Sequence, residues 1–228
     1  PGVRGEPEAL QPFLGGGGTP TQESAVWRLF LRPTRRVVCW PFALPRTQHE
    51  MAELWLRREL LPYDVPRVEL WDDLAGRSSD DLDPETDVVF VLGGNTFDLL
   101  HHLQTRDALA IAPEHVARGG VYFGSSAGAV LAGADIEIAS FADPNDADVV
   151  DTTGLRMLGG AIVRPHYGPD DRDDSWRWTE RGFTVLGVPE DAGLAVIDGV
   201  ARNAGPAPVE VLSGSSFTVL EPGDHLEL

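Results

Sequence analysis

The residues Gly124-Ser125-Ser126-Ala127-Gly128 have the types and spacing of a nucleophile site. An apolar stretch, 121–123, runs into them, and a run of small residues reaching Gly133 follows. A serine with glycine at −2 and +2, between a strand and a helix, is the sequence form of a nucleophile elbow. The turn strains the serine backbone and brings its neighbours too close for side chains. Only Ser126 has both glycines at that spacing, which favours it over Ser125. The next amide, that of Ala127, opens a helix and can face a developing oxyanion. A glycine-rich turn that binds phosphate or merely connects would share the bare pattern, so the elbow has to be judged with its partners.

A second amide donor is available in Gly93-Gly94, directly after the apolar run 87–92, with Asn95 or Thr96 alternatively serving as a helix cap. A serine nucleophile also needs a base. His49, His101, His102, His115 and His225 are explained by surface positions on or near predicted helices and the chain end. His166 differs, because it falls in a loop after a short apolar segment and Arg164-Pro165, with Tyr167-Gly168 following. It is the candidate general base. The carboxylate that would fix its tautomer is open on spacing alone: Asp143, Asp146 and Asp148 lie after the elbow helix, with Asp135, Glu137 and Glu190 behind them.

The elements that must carry these groups alternate. Strands are predicted at Phe13-Leu14, 36–40, 68–70, 87–92 and 121–123, and helices at 23–31, 47–61, from 93–96 to about 103, and at 107–118. This alternation predicts an α/β fold: a doubly wound, mostly parallel sheet flanked by helices. Short strands at 194–197, 209–212 and 217–220 predict an antiparallel β-rich C-terminal part. Ligands in such sheets sit beyond the carboxyl ends of the strands. The glycine-containing segments 15–18, 93–96 and 124–128 all follow strands and converge on that edge. One domain over 1–228 is expected, with residues 1–11 a loose end.

Composition excludes several classes. A net charge of −18 opposes nucleic-acid binding. No apolar run has the length of a membrane span, and no signal peptide is legible at the start. The single cysteine, Cys39, lies in an apolar strand and reads as a buried small hydrophobe; it permits no internal disulfide framework and fits a cytoplasmic location. No metal-binding pattern is present, and neither a metal nor another cofactor is expected. The acidic runs 80–83 and 170–174 read as solvated loops, the second close enough to His166 to influence it. Most of the six tryptophans are expected in the core, with Trp176 and Trp178 as candidate walls of a substrate pocket.

Four segments occur in a telling order: Gly-Gly-Asn-Thr-Phe-Asp-Leu-Leu (93–100), Gly-Ser-Ser-Ala-Gly-Ala (124–129), Arg-Pro-His-Tyr (164–167) and Gly-Val-Pro-Glu (187–190). Together they resemble the peptidase E (aspartyl dipeptidase) and cyanophycinase family of serine peptidases, which has a class I glutamine amidotransferase-like fold. The resemblance runs from about Phe13 to the C-terminus. It implies Ser126 as nucleophile, His166 as base, and Gly94 and Ala127 as oxyanion donors. It places the acid after the elbow helix in an Asn-Asp-x-Pro-like context, where Ala142-Asp143-Pro144 is the nearest match. It further implies Asn95, Thr96 and Tyr167 as substrate contacts, with Arg172 or Arg177 as the basic residue that reads an N-terminal aspartate. Four aspartates crowd Arg172, so the expectation is a hydrolase of dipeptides or small peptides drifted from strict Asp-x specificity, monomeric or homodimeric. Pro165 before the histidine and the scarcity of following arginines disfavour cyanophycin cleavage. The competing class is a non-peptidase, small-molecule-binding or biosynthetic accessory protein on the same fold.

Overall fold

The computed structural model describes residues 11–228. In chain order the elements are β1 (Gln11–Gly15), α1 (Ser24–Phe30), β2 (Arg36–Trp40), α2 (His49–Glu59), β3 (Arg67–Leu70) and β4 (Asp87–Val91). There follow α3 (Thr96–Thr105), α4 (Ile111–Ala117), β5 (Val121–Ser125), α5 (Ala127–Ala132), β6 (Ala161–Pro165) and α6 (Arg172–Glu180). The chain ends in β7 (Thr184–Val188), β8 (Gly193–Ile197), β9 (Val200–Asn203), β10 (Val209–Ser213), β11 (Ser216–Leu220) and β12 (His225–Glu227). An eight-stranded sheet has the order β12-β9-β8-β1-β5-β4-β2-β3, and a four-stranded sheet the order β11-β10-β7-β6. The loose end expected over 1–11 lies outside the described residues except for Gln11, which already belongs to β1.

The centre of the large sheet is parallel: β1 pairs with β5, β5 with β4, β4 with β2 and β2 with β3. Apart from the edge strand β3, its strands are largely apolar on both faces because helices or a second sheet cover both sides. Alternation along each strand divides the residues between two core clusters. Val38 and Trp40 of β2, Val89 and Val91 of β4 and Tyr122 of β5 face one cluster, which also contains the apolar residues of α3, α5 and the four-stranded sheet. Val37 and Cys39, Val88 and Phe90, and Val121 and Phe123 face the other, closed by α1 and α2 through Val26, Trp27, Phe30 and Leu56. In that second cluster Trp27 meets Phe90 and Phe123 edge-on, at ring-centroid distances of 5.4 and 6.0 Å.

The elements depart from the sequence expectation where non-local contacts or proline decide. The helix expected over 107–118 starts only at Ile111, because Asp107 is left-handed (φ 54°) and Pro113 is tolerated only near a helix start. Residues 172–180 form a helix instead of continuing a solvated loop; Asp173 and Asp174 occupy its first turn, where the helix dipole favours acids, and Ser175 and Thr179 are buried. The β-rich end has three further strands, β7, β9 and β12. It is split between the sheets: β8, β9 and β12 extend the large sheet antiparallel beyond β1, whereas β10 and β11 join β6 and β7. Trp27, Trp40 and Trp71 are core residues, whereas Trp176 and Trp178 of α6 are half-buried against the core.

Candidate active site

β5 delivers Ser126 to the carboxyl edge of the large sheet, and α5 begins at the next residue. Ser126 is held at φ 51°, ψ −114°, a strained backbone for a residue with a side chain. The flanking glycines are dictated by close approach. A Cβ on Gly124 would stand 2.3 Å from the Gly128 carbonyl oxygen, and one on Gly128 would stand 2.9 Å from that of Val91. The buried Tyr122 hydroxyl donates to the Gly128 carbonyl (2.6 Å) and pins the start of α5 to the strand. The two serines diverge. Ser125 Oγ donates to Glu23 Oε1 (2.5 Å), and Ser126 Oγ lies 2.9 Å from His166 Nε2.

His166 comes from the other sheet, one residue past β6, also with a positive φ of 52°. Its amide donates to the Gly16 carbonyl (2.8 Å). Its ring packs so closely on Gly17 that a Cβ there would lie 2.3 Å from the ring. Behind it, the buried Arg164 donates to Asp174 Oδ2 (2.6 Å) and Asp171 Oδ1 (2.8 Å), fastening the β6 exit to α6. Two residues of the acidic run 170–174, Asp171 and Asp174, are therefore engaged by Arg164. The carboxylate facing His166 is Glu190, whose Oε1 is 3.0 Å from Nδ1. The parallel register of β6 and β7 pairs Pro165 with Val188, so the residues just past the two strand ends emerge side by side.

Asp143, the carboxylate expected here, is elsewhere. Its Oδ2 accepts from the Thr96 amide (2.8 Å) and hydroxyl (2.6 Å), so it braces the start of α3. Among the other candidates, Asp135 accepts from the Glu137 amide and Glu137 pairs with Arg181. The expected substrate contacts are also committed to structure. Asn95 caps α3 through the Phe97 and Asp98 amides and donates to Pro144 O. The Tyr167 hydroxyl donates to Glu210, which also takes both ends of the Arg172 guanidinium; Arg177 pairs with Asp174. None of these five residues lines the cavity at Ser126. Two histidines expected at the surface are buried. His49 bonds Leu44 O and His115 bonds Asp87 O, each at 3.1 Å, and burial pushes the His115 pKa down. His102 stacks on Phe42 (3.9 Å, 9°), and burial lowers its pKa to about 4. Cys39 is buried, which pushes its thiol up to about 12.

Ser126 and His166 open into a cavity of about 610 Å³, whose walls include Trp27, Leu44, Met51, Trp55, Phe90 and Leu92. Gly93 touches its floor: a Cβ there would be 3.1 Å from Ser126 Cβ. Sequence reasoning missed Glu23, which is 2% exposed and lines the same cavity. Burial pushes its carboxyl up to about 7, against the opposing hydrogen bonds from Ser125 and the Gly17 amide. The only sequence cue was its position on a helix start after a glycine run. Among the described residues no group of three or more His, Cys, Asp or Glu side chains could hold a metal ion, and no helix is long and apolar enough to cross a membrane.

The sequence model of peptidase family S51 matches residues 56–203, a span that contains the elbow, His166 and Glu190. The chain belongs to peptidase family S51. Among its S51 relatives, peptidase E of Salmonella typhi is 34% identical over 149 residues, and peptidase E of Salmonella typhimurium LT2 is 32% identical over 148. Each match covers 61% of this chain and 65% of the relative's length. The S51 fold is shared with a Listeria monocytogenes EGD-e protein (TM-score 0.67, 20% identity, 87% of this chain and 99% of that one). It is shared equally with a peptidase from an acI-B1 actinobacterium (TM-score 0.67, 17% identity, 98% and 99%).

Proposed function

We propose that the chain is a serine-type peptidase that hydrolyses dipeptides or small peptides through an acyl-enzyme on Ser126. The observation that carries this reading is the unbroken relay Ser126 Oγ–His166 Nε2 (2.9 Å) and His166 Nδ1–Glu190 Oε1 (3.0 Å), with the serine on a strained turn. His166 takes the Ser126 proton as Oγ attacks the peptide carbonyl, and returns it to the leaving amine. Glu190 holds the imidazole so that Nδ1 keeps its proton and Nε2 faces the serine. The oxyanion rests on the Ala127 amide and the Gly93-Gly94 loop, for which we retain Gly94 as donor. Water then enters by the same base and releases the acyl product.

Arg172 and Arg177 are bound to Glu210 and Asp174, away from the cavity, which supports a specificity other than for N-terminal aspartate. Labelling with a fluorophosphonate tests the nucleophile. The expected result is one covalent adduct on Ser126 that Ser126→Ala abolishes. A folded protein that fails to label would favour a non-catalytic binding role for the same cavity.

A further inference from the structure

Among the described residues the cavity lining includes no lysine or arginine and a single carboxyl side chain, that of Glu23. Glu23 immediately precedes α1, and its carboxyl lies between two parts of the site. Ser125 Oγ (2.5 Å) precedes the nucleophile in sequence, and the Gly17 amide (3.0 Å) belongs to the residue packed under the His166 ring. The Trp27 indole and the Gly18 amide act on the carboxyl more weakly, and none of these four donors carries a charge. No arginine lines the cavity among the described residues. A carboxyl this buried and without a cation is costly to ionise. It is the group an apolar cavity needs if the ligand itself brings the positive charge.

Given Ser126 as nucleophile, on which this step rests, we infer that Glu23 determines specificity by receiving a primary ammonium on the acyl half of the peptide. The apolar walls, Trp27, Leu44, Met51 and Trp55, then take an apolar N-terminal side chain. An N-terminal aspartate is selected against, because it would bring a second carboxylate into the cavity beside Glu23. An entering ammonium stabilises the ionised carboxylate, so a carboxyl that titrates at about 7 gives up its proton readily on binding near neutral pH.

The test compares aminocoumarin amides of phenylalanine, N-acetyl-phenylalanine, aspartate and N-acetyl-lysine. For the wild-type protein the phenylalanine amide should exceed both its acetylated form and the aspartate amide by about ten- to hundred-fold in kcat/KM, chiefly through KM. The N-acetyl-lysine amide identifies the source of the charge: turnover near that of phenylalanine assigns a side-chain ammonium, and turnover like N-acetyl-phenylalanine assigns the α-amine. In Glu23→Gln the preference for the free amine should collapse. Equal use of free and acetylated phenylalanine with no gain for the N-acetyl-lysine amide, or a preference for aspartate, overturns the inference in the wild type alone, whether or not the variant folds. Fluorophosphonate labelling of the wild type separates the two failures. An intact Ser126 adduct without amine preference rejects only the role of Glu23, and a missing adduct rejects the nucleophile as well.

Discussion

Replacing Glu23 by glutamine should change how stability depends on pH, whatever the substrate. The carboxyl has an ordinary value of 4.5 and is pushed up to about 7 in the folded protein. Below pH 4.5 the group is protonated in both states and costs nothing. As pH rises from 4.5 to about 7 the unfolded chain ionises first, and the folded state is penalised progressively. The separation of about 2.5 pH units, at about 1.4 kcal/mol each, amounts to about 3 kcal/mol of stability lost by the wild type over that interval. The glutamine side chain does not titrate, and its amide oxygen retains an acceptor for Ser125 and Gly17. Urea unfolding of both proteins across the interval gives the difference directly, since every other titration common to the two cancels. The stability of Glu23→Gln relative to wild type should rise by about 3 kcal/mol between pH 4.5 and pH 8. A difference that stays flat to within about 1 kcal/mol would refute the claim that Glu23 is held neutral by burial.

Two further outcomes follow from the site geometry. Glu190→Gln should lower kcat by about 10²- to 10⁴-fold with little loss of stability, whereas Asp143→Ala should leave kcat within a few-fold and cost about 1–2 kcal/mol in urea unfolding, as the α3 start loses its brace; a comparable kcat loss in both would remove Glu190 from its role. Gly17→Ala places a methyl group within 2.3 Å of the His166 ring at a φ of 94°, so the rate of fluorophosphonate labelling should drop at least about tenfold, and an unchanged rate would show that the ring is not confined by this loop.

The elbow was legible because everything it needs is local. Strand, glycine spacing and small-residue helix lie within fifteen consecutive residues, and the steric reason for Gly124 acts across four, although that for Gly128 comes from Val91 on the neighbouring strand. The parallel core strands were legible for a similar reason, since runs such as 87–91 are apolar throughout only when both faces are covered. His166 could be singled out by its loop context. Its carboxylate could not, because the contact with Glu190 depends on the register between β6 and β7, a pairing of residues more than twenty apart. β7 itself was not recognised, so Glu190 had no strand end to place it. Asp143 misled for a physical reason: an aspartate after the elbow helix and before Pro144 is well placed for loop work, and here that work is bonding Thr96. Glu23 gave still less warning. A glutamate at a helix start is ordinarily solvated, and here the loop 15–18 and Ser125 of β5 close over it.

The four glycines at 15–18 tie these observations together. A Cβ at Gly15 would meet Glu23 Oε1 at 2.1 Å, at Gly16 the Pro189 carbonyl oxygen at 1.8 Å, at Gly17 the His166 ring, and at Gly18 the Glu190 carbonyl oxygen at 2.2 Å. Each glycine therefore makes room for a different part of the site. The loop leaves β1, a neighbour of the elbow strand in the large sheet, whereas His166 and Glu190 leave β6 and β7 of the small one. Ser126 thus stands on one sheet and His166 and Glu190 on the other. The hydrogen bond from the His166 amide to the Gly16 carbonyl is the backbone tie between them at this point. A run that in sequence looks like a flexible connector is, by this reasoning, the surface against which the relay is set. Its lack of side chains lets two separately built strand edges approach to within hydrogen-bonding distance.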